Sequence, residues 1–575
     1  MIVRWLGTAT SPSPARPRPS RRIIARLFLA ALAPGVALLI LEGLLRVTGI
    51  GAAPSIYRLA HHESGELVYE TNIPEYGRGF ATFLELNPSP ARFRAVKDKG
   101  SRRLFVVGDS TVFGTGYAPL YSLPKWVQIR LETLLPGEQI EVINAGTPGI
   151  DSRNLVRIVQ HVLRYEPDAI VAYSGHNELL EPHLYALRHP WEWWARELIS
   201  RWNLLRVIRR LIYGETVPKM SAPPSPRGEG PIFDEPVVMF SERDAACRAF
   251  GEHLRRIASL CRGAGVPLVL CTPASRLRDY PPVQASFRSA PPPAVREHVR
   301  ATFERARSLI AAEAWSDALS CLDEITTIDD GISLVRYLRG RCLERLGRTQ
   351  EARIDLLAAA ELDGSPNRAS SPFIEMVRRV AAEEEVPLAD VAAALAEGSP
   401  LGFPDETFFF DSCHPNMRGQ CVMAGVIVRT LGENGILFAS DRWNWSREPS
   451  VEDYLAAHPM SAEAAALAYH ARSLANFRRW LMSISTGEEL AIALENARTA
   501  CELDPANLRY RGTFGLLQCL GGQSAEGRER LAAVTRDDPQ ALADLARLAT
   551  ASPRLGQIVS AAGLRVEGGC FLPAE

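Results

Sequence analysis

Between Arg103 and Val391 the chain alternates short apolar runs with longer stretches in which apolar residues recur at helical spacing. The runs are RLFVVG (Arg103–Gly108), IEVINAG (Ile140–Gly146), AIVAYSG (Ala169–Gly175), VPLVLCTP (Val266–Pro273) and VPLADV (Val386–Val391). Helical stretches such as Asn154–Arg164 and Ala246–Cys261 lie between them. Continuous apolar strands separated by helices predict an α/β fold, with a parallel, flavodoxin-like sheet covered on both faces in three layers. Ligands of such sheets bind beyond the carboxyl ends of the strands. The loops after Gly108, Gly146 and Gly175 are therefore expected to converge.

The connection from the fourth run to the fifth is too long for a single crossover, and an internal repeat accounts for it. Ala318 in EAWSDALSCLDEITTIDD and Ala352 in GRTQEARIDLLAAAELD stand 34 residues apart. The pattern returns near the C-terminus, where Asp504-Pro505 and Asp538-Pro539 are again 34 apart. This spacing resembles the tetratricopeptide period, although the strong Trp and Tyr positions of that repeat are mostly missing. Such helices can form a solenoid that binds a protein partner, or they can simply pack on the rest of the chain.

The N-terminus has a different character. No acid precedes Glu42, but Arg4, Arg16, Arg18, Arg21, Arg22 and Arg26 do, and an uncharged run, LFLAALAPGVALLIL (Leu27–Leu41), follows. That run is 15 residues long, against the ~20 that span a bilayer unaided. Counting Ile23 to Ile50 gives enough length if Arg26, Glu42 and Arg46 sit near the interfaces. With no A-x-A cleavage site after the run, the expectation is an uncleaved signal anchor rather than a removed signal peptide, and SRRIIA only partly resembles a twin-arginine signal. The basic flank then places the N-terminus in the cytoplasm and everything after Ile50 outside it, as a single-pass membrane protein.

Composition adds exclusions. At 575 residues, 46% hydrophobic and 23% charged, with a net charge of −1, the chain is ordinary for a folded protein and gives no reason to expect nucleic acid. Its ten cysteines include no C-x-x-C pair, which argues against a zinc site or a redox pair, and several fall in helical patterns as small buried hydrophobes. No H-E-x-x-H stretch is present, and no metal or cofactor is expected.

The first apolar run ends in RRLFVVGDSTVFG, which delivers Asp109 and Ser110 to the point where a parallel strand hands over to a helix. Phosphate cradles fail on spacing. Five residues beyond Gly108 stands Phe113, with no lysine after it, and the third glycine of a dinucleotide pattern begun at Gly114 falls on Pro119. A nucleophile would need a base, an orienting acid and oxyanion donors. Of the eleven histidines, one lies in DSCHPN, three residues after Asp411, so that one turn can carry Asp411 and His414 together. The loop NAGTPGIDS offers the Gly149 N–H, and SGHNE offers the Asn177 amide. The alternatives are a helix N-cap for Ser110, a surface histidine for His414, and turn residues at Gly149 and Asn177.

Gly108-Asp109-Ser110, Gly149, Gly175-x-Asn177 and Asp411-x-x-His414 resemble the four motif blocks of SGNH (GDSL) hydrolases, in order, over about residues 100 to 435. The resemblance implies the SGNH hydrolase fold, with Ser110 attacking an ester carbonyl. It implies that the Ser110 N–H, the Gly149 N–H and Asn177 hold the oxyanion, while His414, supported by Asp411, takes the serine proton. The third block departs from the family, because Glu178 stands where an Asp usually follows the Asn. WEWWARELISRWNLLRVIRRLIY puts Trp191, Trp194, Leu198, Trp202, Leu205, Ile208 and Ile212 on one helical stripe. That helix can lie in a membrane surface, roof the site as a lid, or pack on the domain.

Together these readings give a cytoplasmic N-terminus and anchor over 1–50, a hydrolase domain over 51–293 and 372–440, a helical repeat pair inserted over 294–371, and a C-terminal helical module over 441–575. The expected activity is hydrolysis of an acyl (for example acetyl) ester of a glycan, lipid or small molecule outside the cytoplasm. An acyltransferase to an envelope polysaccharide would use the same residues. A scaffold with a vestigial hydrolase fold is the non-catalytic alternative.

Overall fold

The computed structural model describes residues 21–53, 55–73, 88–117, 120–213, 232–233, 236, 238–481, 488–551, 553–568 and 570–573. The chain divides into two compact units, Met1–Ala53 with Trp194–Pro218, and Pro54–Trp193 with Lys219–Glu575.

The second unit is built on a five-stranded parallel sheet. Its strands are β1 (Arg102–Gly108), β2 (Ile140–Gly146), β3 (Ala169–Tyr173), β4 (Leu268–Cys271) and β5 (Leu388–Ala389). Their order is β2-β1-β3-β4-β5, the flavodoxin-like arrangement expected from the sequence. Leu104 to Val107 are all fully buried, as a central strand covered on both faces requires. Phe105 and Val107 face α3 (Ser152–Val162), α4 (Phe240–Gly263) and α5 (Ser371–Glu383) in one apolar cluster. Leu104 and Val106 join a second cluster with α2 (Leu123–Leu134) and α6 (Met417–Glu433) on the other side. A period of two along one strand thus produces three layers. The short helix α1 (Ser110–Phe113) follows β1 directly. The fifth apolar run contributes only two paired residues, because Asp390 turns away to cap the next helix by accepting from Ala393 N.

The long connection forms four helices, Pro293–Ala311, Trp315–Ile328, Ser333–Arg345 and Thr349–Glu361. The second and fourth begin at positions 315 and 349, and Ala318 and Ala352 occupy matching, fully buried positions in them. These helices enclose a core of their own around Phe303, Leu322, Leu343 and Leu356. Both ends of the insert are stitched together. The Asp363 carboxylate accepts from Val283 N (2.7 Å) and Gln284 N (2.9 Å), and Gly364 N donates to Gln284 O (2.8 Å). Further helices, starting with Val451–Ala457 and Ala462–Leu481, complete the C-terminal part. A three-stranded antiparallel sheet, Tyr57–His61, Leu67–Thr71 and Arg92–Arg94, precedes β1 and was not foreseen. All ten cysteines are unpaired, and eight are buried.

The first unit corrects the membrane reading. Residues Arg21–Thr48 do form one helix, but among the described residues no helix is long and apolar enough to cross a membrane. Stretching the short uncharged run to membrane length required Glu42 at an interface. Instead Glu42 is 5% exposed, and its carboxylate accepts from the N–H groups of Asn203 (3.1 Å) and Leu204 (2.9 Å). It caps the helix Asn203–Tyr213 while Arg46 Nε donates to it at 2.6 Å. The transmembrane, signal-anchor and single-pass expectations are therefore overturned. The stripe from Trp191 to Tyr213 is likewise two helices, Pro190–Arg201 and Asn203–Tyr213, rather than one.

One contact tests the packing at the sheet's carboxyl edge. A Cβ added at Gly146 would lie 2.1 Å from the backbone nitrogen of Phe113, the last residue of α1. Gly146→Ala should cost about 1–3 kcal/mol or more in chemical denaturation. Gly263→Ala, in open space at the end of α4, should stay within about 1 kcal/mol of wild type. Equal stability of the two variants would show that α1 does not rest on β2 as described.

Candidate active site

Strand register sets the geometry. Gly108 of β1 is level with Gly146 of β2 and Tyr173 of β3, so three strands end together. A side chain at Gly108 would strike Tyr173 O at 2.4 Å, and only glycine permits that approach. Asp109 caps α1 by accepting from Thr111 N (3.0 Å), and Gly114, at φ +89°, closes the turn. Ser110 is thereby the first residue of a four-residue helix and remains 8% exposed.

His414 arrives on the loop before α6. Phe409 bridges to Pro415, Phe410 N donates to His414 O (3.2 Å), and Asn416 caps α6 through Gly419 N. Within that turn Asp411 Oδ1 accepts from the N–H groups of Cys413 (3.0 Å) and His414 (2.7 Å). Its Oδ2 lies 2.6 Å from His414 Nδ1, and His414 Nε2 lies 2.8 Å from Ser110 Oγ. A carboxylate can only accept, so Nδ1 carries the proton and Nε2 is left to take the one from Ser110. The Phe410 ring stacks on the imidazole with centroids 5.7 Å apart. Burial alone disfavours the imidazolium, but the facing Asp411 outweighs it and holds His414 well above its ordinary value. For Asp411, burial pushes up, and the charge and hydrogen bonds of His414 outweigh it, holding the carboxyl below the usual range. Asp411, Cys413 and His414 are also the one group of metal-ligand types clustered among the described residues, but both imidazole nitrogens are already engaged in the serine line.

The other two expected positions lie on the loops after β2 and β3. Gly149 sits at φ +75°, which favours glycine. Asn177 Nδ2 donates one proton to Ile150 O (2.9 Å), leaving its second for another acceptor. Sequence reasoning missed what laces these loops together. His183 Nε2 donates to Gly149 O at 2.8 Å, with Asp151 Oδ2 3.4 Å from its Nδ1. Glu178 accepts from Ser152 N (2.8 Å), and its Oε2 is 2.8 Å from Ser152 Oγ, which in turn lies 2.9 Å from His253 Nδ1. The longer acid at position 178 thus serves the neighbouring loop rather than its own. His176 Nδ1 accepts from Ala369 N (3.1 Å), and burial pushes this ring down to about 3, so it is neutral. Of these residues two carried a sequence signal, Glu178 as the acid that follows Asn177 and Asp151 as an acid three residues before Asn154 at the start of a helix. The helix Ala462–Leu481 was also unforeseen here. Its Ala468 packs with Phe410 and Tyr117, beside His414.

No family model matches the chain, and the search of curated proteins found no match. Among solved structures, a GDSL-like lipase from Parabacteroides merdae is similar over 59% of this chain and 98% of its own, at 12% identity and a TM-score of 0.29. A catalytic variant of an acetylxylan esterase from Geobacillus stearothermophilus matches over 60% and 98%, at 14% identity and 0.27. A lipase/acylhydrolase from Enterococcus faecalis matches over 61% and 100%, at 14% identity and 0.26. None of these likenesses carries function over to this chain, and its chemistry has to come from its own side chains.

Glu178 gives a stability test. Burial first, and the Asp151 charge second, push its carboxyl up to about 8 from an ordinary 4.5. Between those values the folded chain holds a proton that the unfolded chain has released, so this group's contribution to stability falls as pH rises through the window. Glu178→Gln keeps an acceptor for Ser152 N and removes the titration. Melting of the wild type should decline relative to the Gln variant as pH rises from 5 to 8, and parallel curves would contradict the assignment.

Proposed function

We propose that this protein is a serine ester hydrolase, and that Ser110, His414 and Asp411 carry the reaction. The observation that supports the reading best is the unbroken hydrogen-bonded line from Asp411 through His414 to Ser110, at 2.6 and 2.8 Å. Ser110 Oγ attacks the acyl carbonyl as its proton passes to His414 Nε2. The imidazolium so formed is stabilised by Asp411 and returns the proton to the leaving alkoxide. A water activated by the same nitrogen then releases the acyl group and frees Ser110. The Ser110 N–H, the Gly149 N–H and the second Asn177 amide proton are the donors assigned to the oxyanion, where one donor is worth about 10²–10³ in kcat. The substrate is taken to be an acyl ester, for example an acetyl ester, of a glycan, lipid or small molecule. The catalytic segments are 51–293 and 372–440, with the helical insert 294–371 and the module 441–575 as accessory parts.

A fluorophosphonate probe should label the wild type and leave Ser110→Ala unlabelled; equal labelling of both ends the assignment. The pH profile is a second check. Only neutral His414 can accept the serine proton, and its proton is held well above the ordinary 6.5. The rate on a small activated ester should therefore rise with pH, with a midpoint above 6.5 that belongs to the His–Asp pair as a whole. Asp411→Asn should lower kcat by as much as about 10⁴-fold and move that midpoint down. A wild-type midpoint at or below 6.5 would show that Asp411 does not support the base.

A further inference from the structure

The loop after β2 has to hold Gly149 in a conformation that it does not enforce itself. At φ +75° Gly149 lies outside the strand ladder and before the first turn of α3, so its carbonyl has no partner in regular structure. That partner is His183, from the helix Glu181–Arg188, whose Nε2 donates to Gly149 O at 2.8 Å. His183 is 7% exposed, and on its other side stands Asp151, which is 4% exposed. Asp151 divides its carboxylate between two tasks. Oδ1 accepts from Asn154 N (3.0 Å) and Asn154 Nδ2 (2.8 Å), capping α3, while Oδ2 faces His183 Nδ1 at 3.4 Å. The proton placement differs from the Asp411–His414–Ser110 line: His414 Nε2 accepts from the serine, whereas His183 Nε2 has to donate to a carbonyl, so Nδ1 pairs with the Asp151 carboxylate when it carries a proton too.

We infer that His183, oriented by Asp151, is a positioning residue that fixes the Gly149 loop so that the oxyanion donors are set before substrate arrives. The inference rests on the ester-hydrolase reading above. Two neighbours make the clamp effective. Asn177 ties the next carbonyl, Ile150 O, at 2.9 Å, and Glu178 ties the amide of Ser152 at 2.8 Å. Three side chains from residues 177–183 thus hold positions 149, 150 and 152. Loosening one of them frees the aim of the Gly149 N–H and shifts the acceptor against which the Asn177 amide is set. Donors aimed at a developing charge lower the barrier only if they need not reorganise. Losing His183 should accordingly lower turnover rather than substrate binding.

The test measures kcat and KM on p-nitrophenyl acetate with the full chain, per mole of folded protein. Four proteins are compared, the wild type, His183→Leu, His183→Gln and Ser110→Ala, and folding is followed by circular dichroism. His183→Leu should lose about 10²-fold in kcat with KM nearly unchanged. His183→Gln, whose amide can still donate to Gly149 O, should recover at least about tenfold of that loss. Wild-type kcat in His183→Leu overturns the inference, as does a change confined to KM. Should His183→Leu not fold, His183→Met replaces it, an adaptable side chain of similar size with no donor for Gly149 O. Its kcat should fall several-fold, and an unchanged kcat overturns the inference. A Ser110→Ala protein as active as the wild type would instead remove the ester-hydrolase reading.

Discussion

Everything at the site hangs from the register that sets Gly108 level with Gly146 and Tyr173. Parallel pairing delivers three chain ends to one edge, and the two glycines let the turn beyond β1 lie directly on its neighbours. Thr147 N donates to Gly108 O at 2.9 Å, and the backbone of Phe113 occupies the space where a Gly146 side chain would be. The turn cannot slide outward, so Ser110 has a fixed position. His414 meets it from 304 residues further along the chain. The connection between them loops out through the insert and returns, and Asp363 closes that loop at its base by holding Val283 and Gln284. A sheet edge and a closed insertion do together what sequence proximity cannot.

Burial is severe at this edge, and its consequences are settled group by group. Burial pushes Asp109 up to about 6, and its cap on Thr111 only partly offsets that. Glu178 is pushed further because a second carboxyl, Asp151, is near. Asp151 and Asp411 suffer the same burial yet are held below the usual range, each chiefly by a facing imidazole. The histidines divide in the same way. His176 accepts a backbone N–H on Nδ1 and is pushed down to about 3, whereas His414 faces a carboxylate and is held high. Depth alone would have made all of these groups neutral. Their partners decide which stay charged.

The layered sheet was legible because its signal is local. RLFVVG and AIVAYSG are apolar runs that need no knowledge of the rest of the chain, and the turn residues after them mark the strand ends. Spacing alone also put Asp411 and His414 on one turn. Contacts made across loops left no such trace. Nothing in the residues between Asn177 and His183 announces that His183 turns back to Gly149. The antiparallel hairpin at Tyr57–Thr71 was missed because its apolar residues do not keep to one buried face: Leu59 and Leu67 are exposed, while Glu70 is half-buried. The membrane reading failed for a related reason. Hydropathy scored Glu42 as a tolerable interfacial charge, and only the fold reveals it as the cap of a helix 161 residues away.

The accessory helices bear on the site as well as on the fold. Tyr280, which follows β4, has the Arg368 guanidinium 5.4 Å from its ring centre and that of Arg479 5.3 Å away. Arg368 lies at the end of the insert, and Arg479 belongs to the helix Ala462–Leu481. Burial first, and the charge of Asp411 second, raise the Tyr280 hydroxyl, so this ring stands within electrostatic reach of the His414 loop. Tyr337, from the third helix of the insert, feels Arg341, Arg479 and Asp279 in the same region. Insert, core and C-terminal helix therefore meet around one tyrosine on the flank of the serine line. The sheet holds the reacting groups, but this wall beside them is built from segments that a minimal core would lack.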